Sequence, residues 1–196
     1  MQGRLLMLHK PKGYIVTRSD ERRRKTVYDL LPRWALSESW MPAGRRDLDS
    51  KGLLLFSQDG KDVAALTRPG GLSKTYEVWV RGRVTPEHVA AALRGVRTPE
   101  GLCKALKVEL LGGAGPKTRL RVTLDEGKNR HIRRLFGALL DPKFATPLKV
   151  LELKRIAVGT LTLDVPSGQW RFLTAEEVSA LLNSSPKSPS TLRSSW

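Results

Sequence analysis

The apolar residues of this chain come mostly in short runs of strand length, and this pattern constrains the fold more than any other feature. In the segment Lys74–Arg81, Tyr76, Val78 and Val80 alternate with residues of different character, a period of two that predicts a strand with two differently occupied faces. The segment Leu53–Ser57 predicts a buried strand. No stretch approaches the roughly 20 consecutive apolar residues that span a bilayer, so no membrane association is predicted.

The remaining apolar segments and turn residues predict further strands and a smaller number of helices. The predicted strands lie at residues 5–8, 14–17, 105–111, 120–124, 150–156, 161–165 and 170–173. The predicted helices, each with a capping residue at its start, lie at residues 27–31, 61–67, 85–93 and 174–182. Because the strands outnumber the helices and do not alternate strictly with them, the sequence predicts an α+β fold with a largely antiparallel sheet.

The chain is predicted to form one domain over residues 1–182. A soluble chain of 196 residues normally makes one domain, or two small lobes that share a core, and the turn-rich segment 82–86 is the candidate boundary between two lobes. Residues 183–196 are rich in serine and proline and cannot bury enough apolar area to offset their ordering entropy. We therefore expect this tail to be disordered.

The charge of the chain indicates the class of its binding partner, and its cysteine content and N-terminal segment indicate its cellular compartment. The chain has 35 lysines and arginines against 19 aspartates and glutamates, a net charge of +16, which makes nucleic acid the first partner to consider. Cys103 is the single cysteine and the three histidines stand far apart, so neither an internal disulfide nor a metal site is predicted. The N-terminal segment lacks a small-residue cleavage site, and we expect a cytoplasmic protein.

One candidate site is the segment Gly44–Gly52, which places Asp47 directly after Arg45 and Arg46 and just ahead of an apolar strand. Neighbouring positive charge favours the ionised form of a carboxylate, as a nucleophile or an electrostatic group requires. The alternative interpretation is a solvated turn with local ion pairs. The spacing by itself leaves both interpretations open.

A second candidate is the segment Glu126–Phe136. If the chain is helical from Lys128 onward, apolar residues fall on one side at i, i+3, i+4 and i+7, while Arg130, Arg133 and Arg134 cluster on the opposite side. Arginine is suited to bidentate phosphate contacts, so this side is a candidate surface for nucleic acid. The alternative is a charged face that is merely solvated.

Two shorter segments are less specific. A strand at Lys74–Arg81 would place Lys74 and Tyr76 on one face, where the tyrosine could stack on a base and still offer its hydroxyl for proton transfer. A strand tyrosine is more often simply part of the core. The segment Lys10–Gly13 is likewise more often just a turn, so neither segment identifies a function alone.

In combination, the four segments resemble a known family. In chain order they follow the patterns K-P-x-G, G-R-x-D-x-x-S-x-G-L-L, K-x-Y-x-V and E-G-(K/R)-N-R-x-x-R-R, and they are similar to the pseudouridine synthases, specifically the branch that modifies ribosomal RNA. The resemblance covers about residues 4–174 and implies a mixed, mostly antiparallel sheet with two lobes around a central cleft. Because the first catalytic strand begins almost at Met1, the chain looks most like the E-type large-subunit enzyme, which lacks an N-terminal RNA-binding domain.

The resemblance implies a reaction and a role for each matching residue. Enzymes of this family isomerise a uridine in place, without a metal, a redox step or a cofactor. Asp47 matches the essential catalytic carboxylate, and Arg133 matches the arginine that pairs with it and keeps it anionic. Tyr76 would stack on the uracil and could take part in proton removal, while Arg45 matches the arginine that helps to extrude the target base.

The resemblance also implies the substrate and its contacts. The expected partner is ribosomal RNA of the large subunit, and the chain is expected to act as a monomer. Besides Arg45, the residues expected to hold the substrate RNA are Lys10, Lys74, Lys128, Asn129, Arg130 and Arg134. Arg46 and His131 stand where the family usually has leucine and glutamine, and we interpret both departures as tuning of the site.

Two other classes of function fit the sequence less well. A non-catalytic RNA-binding factor for ribosome assembly could keep the same fold, but it would have no need of Asp47, Tyr76 and Arg133 together. A metal-dependent nuclease would need a cluster of carboxylates or histidines, which these motifs do not provide.

Overall fold

The structure, a computed structural model, describes residues 3–44, 47–127 and 130–183. Its strands are β1 (Leu5–Lys10), β2 (Met41–Pro42), β3 (Lys51–Ser57), β4 (Lys74–Arg81), β5 (Val96–Thr98), β6 (Gly101–Cys103), β7 (Lys107–Ala114), β8 (Lys117–Leu124), β9 (Lys149–Val158), β10 (Leu161–Thr162) and β11 (Trp170–Phe172). Its helices are the 3-10 helix η1 (Val27–Leu30) and the α-helices α1 (Trp34–Ser37), α2 (Gly60–Thr67), α3 (Pro86–Arg94), α4 (His131–Gly137) and α5 (Ala175–Leu182). None of the described helices is both long and apolar enough to cross a membrane.

One sheet connects most of these strands. Over the described residues its order is β11-β1-β3-β9-β4-β8-β7, with β10 beside β9 and β2 beside β3. Among these pairs, β3 and β9 run parallel, with Gly52 opposite Arg155, and the others run antiparallel. Strands β5 and β6 form a separate hairpin. This mixed, mostly antiparallel sheet with flanking helices confirms the predicted α+β class.

The parallel pairing at the centre of the sheet depends on Gly52. Its backbone adopts a φ of +107°, and a Cβ added at this position would overlap the backbone carbonyl of Arg155. Glycine tolerates both the positive φ and the close approach, whereas a side chain would be strained by either one. Gly52 thereby allows β3 to lie beside β9, directly after the loop that carries Asp47.

Three apolar clusters cover the sheet, and β1 contributes to two of them. Leu5 and Met7 pack in a cluster with residues of α2 and α5, whereas Leu6 and Leu8 pack on the other face in an aromatic cluster that contains Trp40. Burial on both faces explains why the first four residues of this strand, Leu5–Leu8, form an apolar run instead of alternating with polar residues. The third cluster packs β4, β8 and β9 against α3 and α4.

The predicted strand at residues 14–17 is wrong. Ile15 makes only an isolated bridge to Thr26, through backbone hydrogen bonds with Lys25 and Val27. Both edges of β1 are already occupied, by β3 and β11, so the segment that follows β1 finds no strand edge there. Four further elements, α1, β2, β5 and β6, were not predicted, because they have two to four residues each and are too short to show a period.

The predicted strand Lys74–Arg81 has the predicted bounds, and the other predicted strands and helices are present with shifted bounds. The apolar clusters do not divide at the predicted lobe boundary, the segment 82–86. Val80 before the segment 82–86 and Ala92 after it belong to the same apolar cluster. The clusters separate instead near the parallel pairing of β3 with β9. The predicted disordered tail, beyond Asn183, lies outside the described residues.

An ion-pair network around Arg171 predicts how the fold responds to acid. Arg171 donates to both carboxylate oxygens of Glu177, at 2.7 and 2.8 Å, and to Asp164 at 2.9 Å. The hydrogen bonds from Arg171 lower the pKa of Glu177 to about 2. This folded-state pKa lies below the pKa of about 4.3 that glutamate has in an unfolded chain. The network therefore contributes its full stability at a pH above the unfolded-state pKa, and this contribution is lost as the pH falls toward 2.

We therefore expect Glu177→Gln to lower the free energy of unfolding by about 1–2 kcal/mol at neutral pH. The difference in unfolding free energy between this variant and the wild type should vanish as the pH falls to the folded-state pKa of Glu177. Urea unfolding at a series of pH values measures this. Glu176→Gln, at the exposed neighbouring position of α5, is the control and should change little. A difference that stays constant across the acid range would contradict the role of Glu177.

Candidate active site

A cleft lies where the two halves of the sheet meet. Its volume is about 760 Å³, within the range of sites that bind small molecules or single residues of a larger ligand. The walls come from the segment 15–24, the loop before β3, the end of α2, the start of α4, and strands β4, β8 and β9. The polar side chains in these walls include Asp47, Lys74, Tyr76, Arg130 and Arg155.

Asp47 stands on a tight turn in the wall of the cleft. The backbone N–H of Ser50 donates to the carbonyl of Asp47 at 3.0 Å and closes this turn, and Ser50 is buried. The N–H of Gly13 donates to the carbonyl of Leu48 at 2.8 Å, which ties the turn after β1 to the same loop. The K-P-x-G and G-R-x-D segments therefore lie side by side, with the Asp47 side chain about one-third exposed.

Lys10 orders the same loop from the end of β1. Its side chain is fully buried, and its Nζ donates to the carbonyl oxygens of Ser50 at 2.6 Å, Asp47 at 3.1 Å, Pro11 at 3.2 Å and Leu48 at 3.4 Å. A buried ammonium group engaged by backbone carbonyls is poorly placed to contact an RNA phosphate. The geometry therefore favours a role for Lys10 in positioning the Asp47 loop over the predicted contact with substrate RNA.

The carboxylate of Asp47 pairs with arginines at the start of α4. Arg130 Nη1 donates to Asp47 Oδ2 at 3.0 Å, whereas Arg133 Nε lies 3.9 Å from the same oxygen. Arg133 is mostly buried, and its Nη2 lies 3.2 Å from Oδ2 of Asp49. The structure therefore adds Arg130 as the nearer partner of Asp47, and Arg133 lies between two carboxylates. Both guanidinium groups stabilise negative charge in this loop.

Helix α4 presents these arginines because its apolar side is buried. Ile132, Leu135 and Phe136 pack in the cluster beneath β4 and β8, which confirms the apolar side that the spacing predicts. Arg130 precedes the helix in a left-handed conformation, with a φ of 52°. His131 is buried and its Nε2 donates to the carbonyl of Lys104 at 2.9 Å, so this departure from the family pattern anchors the helix to the chain after β6.

Strand β4 brings Tyr76 and Lys74 into the cleft. The two residues lie on the same face of the strand, and both are buried, with 5% and 6% of their surface exposed. They line the cleft together with Leu124 and Leu153. Tyr76 also belongs to the apolar cluster, so the core interpretation and the functional interpretation of this tyrosine are both compatible with its position.

The other predicted site residues either do not line the cleft or are not among the residues that the structure describes. Arg134 does not line the cleft, and its Nη1 lies 3.8 Å from the carboxylate of Glu100 in the turn between β5 and β6. Four residues that the sequence analysis named lie outside the described residues: Arg45, Arg46, Lys128 and Asn129.

Two features of the cleft were missed by the sequence analysis. Arg155 of β9 is buried, and its Nε donates to the carbonyl of Leu53 at 2.8 Å. In the segment 15–24, Arg24 donates to the carboxylate of Asp20 from Nε at 3.1 Å and from Nη2 at 3.0 Å. Asp20 and Arg24 lie in a turn and not in a helix, so the i, i+4 rule for helices does not predict this pair. Arg155 carries no local signal either, because its position depends on β3 lying beside β9.

The fold and this cleft place the chain among the pseudouridine synthases. A structure described as "Crystal structure of pseudouridylate synthase" is similar with a TM-score of 0.77 and 30% identity, over 92% of this chain and 75% of the other. The archaeal box H/ACA sRNP Nop10-Cbf5 complex contains a chain with the same fold, with a TM-score of 0.60 and 20% identity over 83% of this chain and 50% of that one.

The sequence comparison defines the family more closely. The family model described as RNA pseudouridylate synthase matches residues 4–138, and the chain belongs to this family. Ribosomal large subunit pseudouridine synthase B of Haemophilus influenzae and that of Vibrio cholerae are each 36% identical over 181 residues, which is 91% of this chain but 48% and 54% of the relatives. The chain therefore spans about half the length of these curated relatives. They are B-type enzymes, whereas the sequence analysis expects the E type.

Proposed function

We propose that this chain isomerises uridine to pseudouridine in the RNA of the large ribosomal subunit. The observation that carries the proposal is the position of Asp47 in the cleft, ion-paired with Arg130, with Tyr76 in the cleft wall. The match to the RNA pseudouridylate synthase family supports the reaction. The names of the B-type relatives support the large-subunit RNA as the substrate.

The reaction replaces one bond to the ribose by another. The bond between C1′ of the ribose and N1 of uracil breaks, the uracil turns while it remains bound, and C1′ bonds to C5, which loses its proton as N1 gains one. Atoms and electrons balance without an external reactant. Asp47 attacks C1′, adds to the uracil ring or assists removal of a sugar proton, and each of these routes requires its carboxylate to lie against the nucleoside.

The other residues of the cleft prepare Asp47 and the base. Arg130 and Arg133 hold the carboxylate in place before the substrate arrives, which lowers the entropy lost on reaching the reactive geometry. Tyr76 stacks on the uracil, and its hydroxyl is a candidate acceptor for the C5 proton. Because a base in stacked or paired RNA is inaccessible, it must be turned out into the cleft, and Arg45 assists this step.

RNA binding in this proposal rests on charge. The net charge is +16, and phosphate neutralisation provides affinity that weakens with salt. Lys74 and Arg130 act within the cleft, and Lys128 and Asn129 contribute further polar groups for the RNA. The basic run at residues 22–25, of which Arg24 lines the cleft, adds further contacts. The chain acts as a monomer in the cytoplasm, where it meets ribosomal RNA either free or in an assembling subunit.

The alternative is an RNA-binding assembly factor with the same fold and no catalysis. Such a factor would need positive charge but would gain nothing from a carboxylate at the centre of its RNA surface, because Asp47 repels phosphate. The convergence of Asp47, Arg130 and Tyr76 on one cleft favours the enzyme.

The proposed reaction is tested by mapping pseudouridines in RNA treated with the purified chain. Transcripts of large-subunit and small-subunit RNA, and partly assembled subunits, are incubated with the protein and analysed by carbodiimide-dependent primer-extension stops. We expect one new stop, in the large-subunit RNA. A stop confined to the small-subunit RNA would overturn the substrate, and the absence of new stops despite RNA binding would favour the assembly factor.

A further inference from the structure

A second cavity lies at the opposite end of β4 from the cleft. It has a volume of about 960 Å³ and is formed by the turn after β4, the turn between β7 and β8, and the loop at residues 141–147. Tyr76 in the cleft and Arg81 at this cavity are five residues apart on one strand, which corresponds to roughly 16 Å. The two cavities are therefore separate sites on the same sheet.

The second cavity is strongly basic. Its lining includes four cationic side chains, all exposed to solvent: Arg81, Arg83, Lys117 and Lys143. The one carboxylate in the lining, Asp141, accepts hydrogen bonds from the backbone N–H groups of Arg83 at 2.8 Å and of Lys143 and Phe144 at 2.9 Å. This carboxylate is thus used to fix the backbone of the loop, and the four cations face solvent in a shaped site.

The loop at the cavity also exposes an aromatic ring. Phe144 is 68% exposed, more than any other large apolar side chain in the described part of the chain, and the Nζ of Lys143 lies 5.2 Å from its ring centroid. The bonds that Asp141 accepts from Lys143 and Phe144 hold the backbone on which this ring is carried. An exposed aromatic ring among cations is the arrangement that binds single-stranded nucleic acid, in which bases stack on rings and phosphates meet cations.

We propose that this second cavity binds a single-stranded segment of the substrate RNA outside the target uridine. A base of that segment stacks on Phe144, and its flanking phosphates lie against Arg81, Arg83 and Lys143. The proposal rests on the proposed function, since it assumes an RNA substrate. With the cleft and the second cavity roughly 16 Å apart along β4, one RNA strand can occupy both, so the second cavity adds affinity and helps to choose which RNA is modified.

Binding of a fluorescein-labelled single-stranded oligouridylate to the full chain, measured by fluorescence anisotropy, tests the stacking role. We expect Phe144→Leu, which keeps an apolar side chain but no ring, to raise the Kd by about tenfold, and Phe144→Tyr to bind like the wild type. Equal affinity of the wild type and Phe144→Leu would overturn the proposal, as would a loss of binding in Phe144→Tyr as large as that in Phe144→Leu. Thermal melting of each variant shows whether the fold is kept.

The salt dependence of the same binding tests the cations. The double variant Arg81→Gln, Lys143→Gln should reduce the slope of log Kd against log salt by about 1.4, since each lost phosphate contact on a single strand contributes about 0.7. The control Lys61→Gln, Arg97→Gln changes the charge equally at exposed residues that line neither cavity, and should leave the slope nearly unchanged. Equal effects of the two double variants would overturn the specific site.

Failure of this inference can be distinguished from failure of the proposed function. If the wild type forms pseudouridine but Phe144→Leu binds oligouridylate normally, the second cavity is not an RNA site and the enzyme assignment stands. If the wild type forms no pseudouridine, the binding comparison still decides the role of the cavity. A 4-thiouridine-labelled RNA should crosslink to the peptide that contains Phe144, and crosslinks confined to cleft peptides would overturn the site.

Discussion

Replacing Asp47 with asparagine is expected to abolish pseudouridine formation, with kcat reduced on the order of 10³-fold or more, while RNA binding stays nearly intact. Asparagine keeps the shape of the side chain and can still accept the hydrogen bond from Arg130 Nη1 that Asp47 accepts at 3.0 Å. It lacks the negative charge and the nucleophilic oxygen that the reaction requires. Carbodiimide-dependent stops measure product, and an electrophoretic shift measures binding.

Asp49→Asn is the matched control for this variant. Asp49 lies two residues further along the same loop, is about half exposed, and pairs with Arg133 at 3.2 Å. Its loss removes one negative charge from the same ion-pair group without touching the proposed catalytic carboxylate, so most activity should remain. Pseudouridine formation by Asp47→Asn at the wild-type rate would refute the assignment, as would an equal loss of activity in the two variants.

The second large effect is expected for Lys10→Met, which replaces the buried ammonium group by an apolar side chain of similar length. The carbonyls of Asp47, Leu48 and Ser50 then lose a donor, and a buried carbonyl without a partner is costly. We expect the free energy of unfolding to fall by about 2 kcal/mol. Displacement of a catalytic group by about 1 Å can lower the rate about 10²-fold. We therefore expect kcat to fall by about 10²-fold.

The kinetic pattern distinguishes a positioning role for Lys10 from a phosphate contact. Loss of loop order lowers kcat and leaves the Kd for RNA nearly unchanged, whereas loss of a phosphate contact weakens binding and flattens its salt dependence. Lys12→Met is the control, since Lys12 is exposed in the same turn after β1, and it should keep the wild-type kcat. A Lys10→Met variant with normal kcat and weakened binding would restore the phosphate role.

Several parts of the site could be predicted because their signal is local. The strand Lys74–Arg81 has the predicted bounds, since alternation of side chains along a strand directly reflects its two faces. The helix beginning at His131 buries the apolar side that its spacing indicated. The aspartate, the tyrosine and the arginines of the motifs were predicted from four segments in one order, and the structure brings Asp47, Tyr76 and Arg130 to one cleft.

The predictions that this geometry does not favour concern residues whose contacts depend on distant partners. Lys10 was predicted to be a basic side chain available to RNA. In the structure it is buried, and its Nζ donates to four backbone carbonyls. Arg133 reaches the Asp47 loop and the next residue, Arg134, does not, because successive residues of a helix point in different directions. The segment 14–17 has strand-like composition, but no free edge of β1 is available to it.

The α+β class, the family and the main chemical groups could be predicted from the sequence, because periodicity, caps and motifs are visible along the chain. Three features depend on the folded chain: which cations face the cleft, that Arg130 is the nearer partner of Asp47, and that Phe144 stands exposed beside a second basic cavity. These features depend on contacts between segments far apart in the chain. Such contacts follow from packing β3 against β9 and from folding loops onto the ends of strands, and no local pattern encodes them.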